Sequence, residues 1–214
     1  MPASGTLFLA SKSPRRRELL QQIGVAFKLL DVDVPEIPQT DERPADYVRR
    51  LAAAKAQAGG VLLIDSEVSA PVLGADTIVT CDDLIMEKPQ SEEDAITMLS
   101  RLSGRTHQVL SAVSLYTSAH QATRLSVTEV SFRKIHESEC RDYWLTGEPR
   151  DKAGAYAIQG LGAVFVDAIK GSYSGVVGLP IEQTIPLLKD FNVPYWQNGG
   201  WQNGKRQNGG WQSE

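Results

Sequence analysis

The sequence of 214 residues predicts an α/β fold in which a mixed β-sheet is flanked by helices. Segments with the apolar pattern of strands alternate with segments of helical spacing, which is typical of α/β proteins. The segment 71–80 is almost continuously apolar, as expected of a strand in the middle of a sheet. A tight turn at residues 81–83 and two long strand-like segments between 106 and 133 add hairpins, so the predicted sheet is mixed.

Each element is predicted from a local signal. Short apolar or alternating runs predict strands at residues 6–10, 25–34, 71–80, 84–87, 106–116, 124–133 and 164–169. Apolar residues at helical spacing predict helices at residues 15–23, 40–58, 91–102, 137–146 and 179–191. Ser13 and Ser91 are predicted caps, and Gly24 and the pair Gly59–Gly60 are predicted helix ends. The glycine-rich segment 148–162 is predicted to be irregular.

A change in composition near the C-terminus divides the chain. From Trp196 the sequence is a five-residue repeat based on Trp-Gln-Asn-Gly, without Val, Ile or Leu. Such a segment cannot bury enough apolar surface to offset its ordering entropy. We therefore expect one domain over residues 1–192 and a disordered, low-complexity tail over 193–214. The tail has two alternative interpretations: a platform on which bases or sugars stack, or a cloning-derived or frameshifted end.

Composition excludes several classes of protein. The chain has 22 Lys and Arg against 26 Asp and Glu, a net charge of −4, which argues against sequence-independent binding of nucleic acid. Its two cysteines, Cys81 and Cys140, form no C-x-x-C pair, which argues against a disulfide scaffold or thiolate zinc site. No apolar run approaches the roughly 18 residues of a membrane span, and the N-terminal run is too short for a secretory signal. We expect a soluble, cytoplasmic protein.

The segment Ser11-Lys12-Ser13-Pro14-Arg15-Arg16 connects the first predicted strand to a helix. Free N–H groups and the positive end of the helix dipole face this turn, so it suits an anion and most naturally a phosphate. The alternative is a solvated cationic first turn, which would destabilise the helix. That cost favours a functional interpretation of Ser11, Arg15 and Arg16.

Two lysines are further candidates. Lys55 shares the inward-facing stripe of its helix with Val48, Leu51 and Ala52, so it must either extend to water or contact an anion. Lys88 follows a predicted strand and, on sequence pattern alone, is indistinguishable from a surface lysine.

Asp76 lies in the middle of the predicted central strand, in Val-Leu-Gly-Ala-Asp-Thr-Ile-Val. A carboxylate is rarely buried without a partner, so Asp76 suits a general base or metal ligand. A structural carboxylate bound to a loop is the alternative. Glu36 lies in an acidic stretch and could share a divalent cation with Asp76, since Mg²⁺ prefers carboxylate and phosphate oxygens.

Gln159 lies in the glycine-rich segment, where Gly154, Gly160 and Gly162 permit close approach of the backbone to a ligand. Its amide offers one acceptor and two donors, which match the imide edge of uracil or thymine. A solvent-facing glutamine is the alternative. The three histidines have no metal-ligand spacing, and neither a G-x-S-x-G elbow nor a P-loop is present.

Several separate segments resemble, in the same order, the Maf-like nucleoside triphosphate pyrophosphatases. They are LASKSPRRRELL (9–20), GADTIV (74–79), EKP (87–89), LSGRTHQV (102–109), EPRDKAGAYAIQG (148–160) and VVGLP (176–180). The resemblance covers about residues 7–191. It implies an elongated mixed sheet in two lobes with a central cleft, a fold similar to that of inosine triphosphatases, and often a homodimer. It also implies hydrolysis of a nucleoside triphosphate to the monophosphate and pyrophosphate with Mg²⁺ or Mn²⁺.

The resemblance is to the dTTP/UTP pyrophosphatase subfamily, which carries Arg, Thr and Gln where this chain has Arg15, Thr77 and Gln159. It implies that these three determine substrate specificity and that Asp76 is the catalytic base. The other matching cleft positions are Ser11, Arg16, Lys55 and Lys88 for phosphate and Glu36, with Asp76, for the metal. Lys12 departs from the small residue that relatives commonly carry.

The resemblance leaves two alternatives to the hydrolysis of standard dTTP and UTP. In the first, the substrates are modified pyrimidine nucleotides, and the enzyme keeps non-standard nucleotides out of nucleic acid. A nucleotide-binding regulator of cell division or septum formation, with little catalysis, is the second.

Overall fold

The computed structural model describes residues 6–64 and 70–197, and within them a seven-stranded sheet is flanked by helices. Its strands are β1 (Leu7–Ala10), β2 (Phe27–Leu29), β3 (Val72–Cys81), β4 (Leu84–Met86), β5 (Thr106–Tyr116), β6 (Gln121–Phe132) and β7 (Val166–Lys170). Its helices are α1 (Pro14–Gln22), α2 (Pro44–Ile64), α3 (Glu92–Leu102), α4 (Glu137–Leu145), α5 (Tyr173–Val177) and α6 (Ile181–Asp190). Short 3₁₀ turns occupy much of the segment 148–165.

The sheet is mixed, as predicted. Its strand order is β2-β1-β3-β5-β6-β7, with β4 paired to the end of β3. Strand β1 is parallel to both β2 and β3, whereas the β3–β5, β5–β6 and β6–β7 pairs are antiparallel. Strand β3 is buried along almost its whole length, which confirms the central position that its apolar run predicts.

The core is divided between two ends of the sheet. One cluster joins the ends of β3, β5 and β6 to α3 and α4, and Leu99 and Phe132 lie inside it. Another joins β1 and the middle of the sheet to α1 and α6, around Leu20 and Leu187. Helix α2 covers one face of the sheet so closely that a Cβ at Gly74 would lie 2.4 Å from the Ala52 carbonyl oxygen. We call the part of the molecule built around the first of these clusters the second lobe, and the part built around the other clusters the first lobe; these are the two lobes that the resemblance implies.

Helix α2 continues through Gly59 and Gly60 to Ile64, so the prediction that these glycines end the helix is wrong. A Cβ on Gly59 would lie 2.7 Å from Val72 Cγ1, and one on Gly60 would lie 2.2 Å from Tyr116 Cε1. The two glycines therefore allow the helix to approach the sheet.

Two other elements differ from the prediction. Strand β2 covers only Phe27–Leu29 within the predicted strand 25–34, and it pairs with β1 over those three residues. Helix α5 was not predicted, since its five residues are too few to show a helical repeat, although Ser172 caps it by accepting from the Gly175 N–H.

The packed chain extends past the boundary predicted at residue 192. Val193 is buried beside α1 and α6, and the Trp196 N–H donates to the Ile23 carbonyl at 2.8 Å. The Gln197 N–H donates to the Gly24 carbonyl at 2.8 Å. The rest of the predicted tail, 198–214, lies outside the described residues. Among the helices of the described chain, none combines the length and hydropathy that crossing a membrane requires.

Candidate active site

A cavity of about 690 Å³ lies between the two lobes. It is lined by every residue that the sequence assigned to the site: Ser11, Arg15, Arg16, Glu36, Lys55, Asp76, Thr77, Lys88 and Gln159. They come from the β1–α1 loop and the start of α1, the loop before α2, α2 itself, β3, the segment after β4, and the 3₁₀ segment. The fold thus brings together residues that are up to 148 positions apart in the chain.

Arg16 is held at all of its guanidinium nitrogens. Its Nε donates to the Gly178 carbonyl at 2.8 Å, one terminal nitrogen donates to Ser11 Oγ at 3.0 Å, and the other donates to Thr77 Oγ1 at 3.4 Å. Burial lowers the pKa of Arg16, and the charge of Asp76 partly offsets this effect. Within the described residues no carboxylate forms an ion pair with Arg16, so its charge is oriented and available to an anion.

The β1–α1 turn is itself tied down. Ser13 takes the cap position of α1 as predicted, but its side chain makes no capping bond; instead, the Ser13 N–H donates to Ser11 Oγ at 3.3 Å. Ser11 is buried and connects this turn to Arg16. The cationic first turn therefore packs into the cavity wall, which favours the anion-site interpretation over a solvated helix end.

Lys55 connects two carboxylates. Its Nζ lies 2.7 Å from Asp76 Oδ1 and 2.5 Å from Glu36 Oε1. Asp76 is only 6% exposed, so Lys55 supplies the partner that a buried carboxylate requires. Burial raises the pKa of Glu36, but the hydrogen bond and charge of Lys55 outweigh it and leave that pKa below its usual range. Of the two predicted outcomes for Lys55, contact with an anion is confirmed.

Thr77 lies in the cavity wall, and its hydroxyl is already engaged by protein. It is 2.9 Å from Ser111 Oγ and 3.4 Å from the Gly178 carbonyl oxygen, in addition to its contact with Arg16. Ser111 in turn donates to the Gly175 carbonyl at 2.6 Å. Thr77 is therefore in contact with Arg16, an arrangement that sequence reasoning missed.

Lys88 and Gln159 are exposed on the cavity wall. For neither side chain does the described part of the molecule supply a hydrogen-bond or ion-pair partner. Both side chains are therefore available to a ligand.

Sequence reasoning missed two charged residues in the second lobe. Asp151 lies 3.6 Å from an Arg15 terminal nitrogen and also pairs with Lys152, which lines the cavity. Burial raises the pKa of Asp151, but Lys152 and Arg15 outweigh it and lower that pKa. Both residues lie in the segment EPRDKAGAYAIQG, so the family resemblance points to this part of the chain but not to these two side chains.

Charge in the cavity is predominantly positive. Six cationic side chains line it, Lys12, Arg15, Arg16, Lys55, Lys88 and Lys152, against the four carboxylates Asp33, Glu36, Asp76 and Asp151. Within residues 6–64 and 70–197, no three His, Cys, Asp or Glu side chains are grouped to hold a metal ion. A mixed α/β fold with a cavity of this charge suits the binding of a small polyanion.

Residues 6–191 match the family model described as Maf-like protein. The chain therefore belongs to the Maf-like protein family, as its sequence motifs predicted. A Saccharophagus degradans protein named "dTTP/UTP pyrophosphatase" is 57% identical over 91% of this chain and 93% of its own. A protein of the same name from Vibrio parahaemolyticus is 50% identical over 89% of this chain and 100% of its own.

The structure is similar to that of the Ham1 protein of Staphylococcus aureus, with a TM-score of 0.41 and 16% identity over 62% of this chain and 72% of that one. No functional conclusion follows from a similarity this low.

Proposed function

We propose that this protein is a nucleoside triphosphate pyrophosphatase that hydrolyses dTTP and UTP to the monophosphate and pyrophosphate. One observation carries the proposal: a buried carboxylate, Asp76, lies in the wall of a cavity that gathers six cations. The names of relatives at 50–57% identity over most of the chain support the same reaction.

The cations would bind the triphosphate from both lobes. Arg16 is oriented by three hydrogen bonds to the protein, while Lys88, Arg15 and Lys152 contribute from other parts of the cavity wall. Fixed positive charges of this kind stabilise the negative charge that develops on phosphoryl oxygens during transfer. Binding the triphosphate from opposite sides would align its α-phosphorus with the base.

Asp76 would be the general base. Its Oδ1 accepts from Lys55, while Oδ2 accepts no hydrogen bond from the residues that the structure describes. A water proton would pass to Asp76 as the water oxygen forms a bond to the α-phosphorus. The bond from the α-phosphorus to the bridging oxygen would break, and pyrophosphate would leave with that electron pair.

The residues present fit the divalent cation that the family implies. Glu36 and Asp76 converge on one positive charge, Lys55 Nζ, and both offer oxygen ligands. Mg²⁺ usually binds one or two carboxylates together with substrate phosphates, so a larger cluster of protein ligands is not needed. When bound, Mg²⁺ or Mn²⁺ would neutralise charge on the phosphate oxygens.

Gln159 would recognise the base, because its amide lies on the cavity wall without a partner among the described residues and can match the imide edge of uracil or thymine. Arg15 would contribute to specificity by binding the triphosphate. Thr77 would contribute to specificity through its contact with Arg16. The 5-position of the pyrimidine lies off the edge that these contacts recognise, so the proposal includes 5-substituted pyrimidine nucleotides. A cytoplasmic location and a homodimer are further proposals that derive from the family resemblance.

A nucleotide panel tests the proposal directly. Pyrophosphate release is measured from UTP, dTTP, CTP, GTP and ATP, with and without Mg²⁺ or Mn²⁺. We expect release from UTP and dTTP well above that from the others, and only with metal. Equal rates on all the nucleotides would contradict the pyrimidine assignment. Nucleotide binding without pyrophosphate release would contradict catalysis and favour a regulator.

A further inference from the structure

The turn that carries Gln159 is anchored on both sides by two side chains. Before Gln159, the Ala157 N–H donates to the Tyr143 hydroxyl oxygen at 3.1 Å. After it, the Leu161 N–H donates to Glu148 Oε2 at 3.0 Å. Gln159 itself has no side-chain partner in the described structure, so its position depends on this backbone.

The two anchors are joined to each other. The Tyr143 hydroxyl donates to Glu148 Oε1 at 2.7 Å, and the same oxygen accepts from the Gly162 N–H at 3.0 Å. Burial raises the pKa of Glu148, but these donors together with the Leu161 N–H outweigh it and keep that pKa below its usual range. The carboxylate is therefore charged at neutral pH, and its hydrogen bonds are of the stronger, charge-assisted kind.

Close packing leaves the turn little room to shift. A Cβ on Gly160 would lie 2.2 Å from Glu148 Oε2, and one on Gly162 would lie 2.6 Å from the Tyr143 hydroxyl oxygen. The Tyr143 ring is 5% exposed and packs edge-on against Phe165, with ring centroids 5.1 Å apart. The core of the second lobe thus sets the position of Tyr143, and the Tyr143 hydroxyl in turn holds Glu148.

Neither Glu148 nor Tyr143 lines the cavity. We infer that they are positioning residues that determine base selectivity by fixing the turn that carries Gln159. The inference rests on the proposed function. A hydrogen-bonding side chain discriminates between base edges only if it is held to within about 0.5 Å, and a displacement of about 1 Å can cost roughly a hundredfold in rate.

Two variants test this role. Glu148→Gln retains the size of the side chain but places an NH₂ group against one of the backbone N–H donors. Tyr143→Phe retains the buried ring and removes both hydroxyl bonds. For each, kcat and KM are measured with UTP and with CTP, and pyrophosphate inhibition is measured as a report on the triphosphate subsite.

We expect the ratio of kcat/KM for UTP to that for CTP to fall roughly ten- to a hundredfold in both variants, because kcat/KM for UTP falls. Inhibition by pyrophosphate should change less than about threefold, because Arg16 and Lys55 are untouched. The control is Glu139→Gln: this carboxylate lies in the same lobe, and it pairs with Arg133 and accepts from the His136 N–H, both of which lie outside the turn at residues 157–162. Glu139→Gln should lower the free energy of unfolding and leave the UTP-to-CTP ratio of kcat/KM unchanged.

The outcomes separate the inference from the proposed function. Wild-type protein that does not prefer UTP to CTP would overturn both. A wild-type preference that persists in folded Glu148→Gln or Tyr143→Phe would overturn the inference alone. If Glu148→Gln fails to fold, Tyr143→Phe decides the matter. A ratio that falls equally in Glu139→Gln would mean that general destabilisation of the lobe is the cause, and would also overturn the inference.

Discussion

The ammonium group of Lys55 lies 2.7 Å from Asp76 Oδ1, with both side chains nearly buried, at 12% and 9% exposed. The contact joins the helix that covers the sheet to the central strand. It places a cation beside the proposed base and beside the place where the triphosphate would bind.

Breaking the pair should destabilise the protein. Lys55→Met leaves Asp76 buried without its partner, which typically costs about 3–5 kcal/mol of unfolding free energy. In Lys55→Met/Asp76→Asn both charges are gone, so much of the loss should be recovered. Urea denaturation of the single and double variants measures this coupling.

The matched control for that experiment is Lys12→Met. Lys12 also pairs with an aspartate at 2.7 Å, Asp31, but the two side chains are 68% and 79% exposed. Such exposed pairs contribute little to stability, because water and salt screen them and their long side chains lose entropy when they are fixed. If Lys12→Met lowers the unfolding free energy as much as Lys55→Met does, burial of the ion pair does not determine its contribution to stability.

Arg16→Lys should impair substrate binding although it retains the positive charge. Lysine cannot make the three directed hydrogen bonds that hold Arg16 to Ser11, Thr77 and Gly178. Hydrogen bonds to charged groups contribute roughly 1.5–3 kcal/mol, so kcat/KM for UTP should fall about 10- to 100-fold. Arg17→Lys is the control, since Arg17 does not line the cavity. Similar kinetics for Arg16→Lys and wild type would contradict the assigned role.

His107 should make stability depend on pH. It is 2% exposed, its Nε2 lies 2.9 Å from the Tyr156 hydroxyl, and burial lowers its pKa to about 4. The unfolded chain takes up a proton near pH 6.5 whereas the folded protein does not, so stability is complete above that pH and is lost as the pH falls towards 4. By pH 5 the loss from this residue should reach about 2 kcal/mol.

Urea denaturation at pH 7, 6 and 5 measures the effect. In His107→Gln, whose amide can still reach Tyr156, the unfolding free energy should change much less over the same range. If the unfolding free energy of His107→Gln falls with pH as steeply as that of wild type, other groups cause the pH dependence. Carboxylates with lowered pKa values, such as Glu36 and Glu148, lose their contribution mainly at lower pH.

Much of the fold and site could be predicted, because the signals were local. Asp76 stands out as a charge within an apolar strand, and the cations of the first helical turn stand out because they oppose the helix dipole. The structure places both in one cavity. Such signals come from neighbouring residues, so they can be recognised in the sequence without knowing which distant residues meet in the fold.

What could not be predicted depends on contacts between distant residues. Gly178 is 162 positions from the arginine that it orients, and no spacing rule connects Arg16 with that carbonyl. Gly59 has the same appearance in a sequence whether it ends a helix or lets the helix approach a strand, and only its contact with Val72 distinguishes the two. Asp151 and Lys152 form an ordinary pair of opposite charges until folding brings them opposite Arg15.

The catalytic assignment of Asp76 is tested most directly by pyrophosphate release from UTP in Asp76→Asn. The substitution retains shape and removes the proton acceptor. Loss of a general base should reduce kcat about 10²- to 10⁴-fold, while UTP still binds and the protein remains folded. Asp33→Asn, on another carboxylate of the cavity wall, should stay within a few-fold of wild type. Turnover by Asp76→Asn close to that of wild type would contradict the central claim.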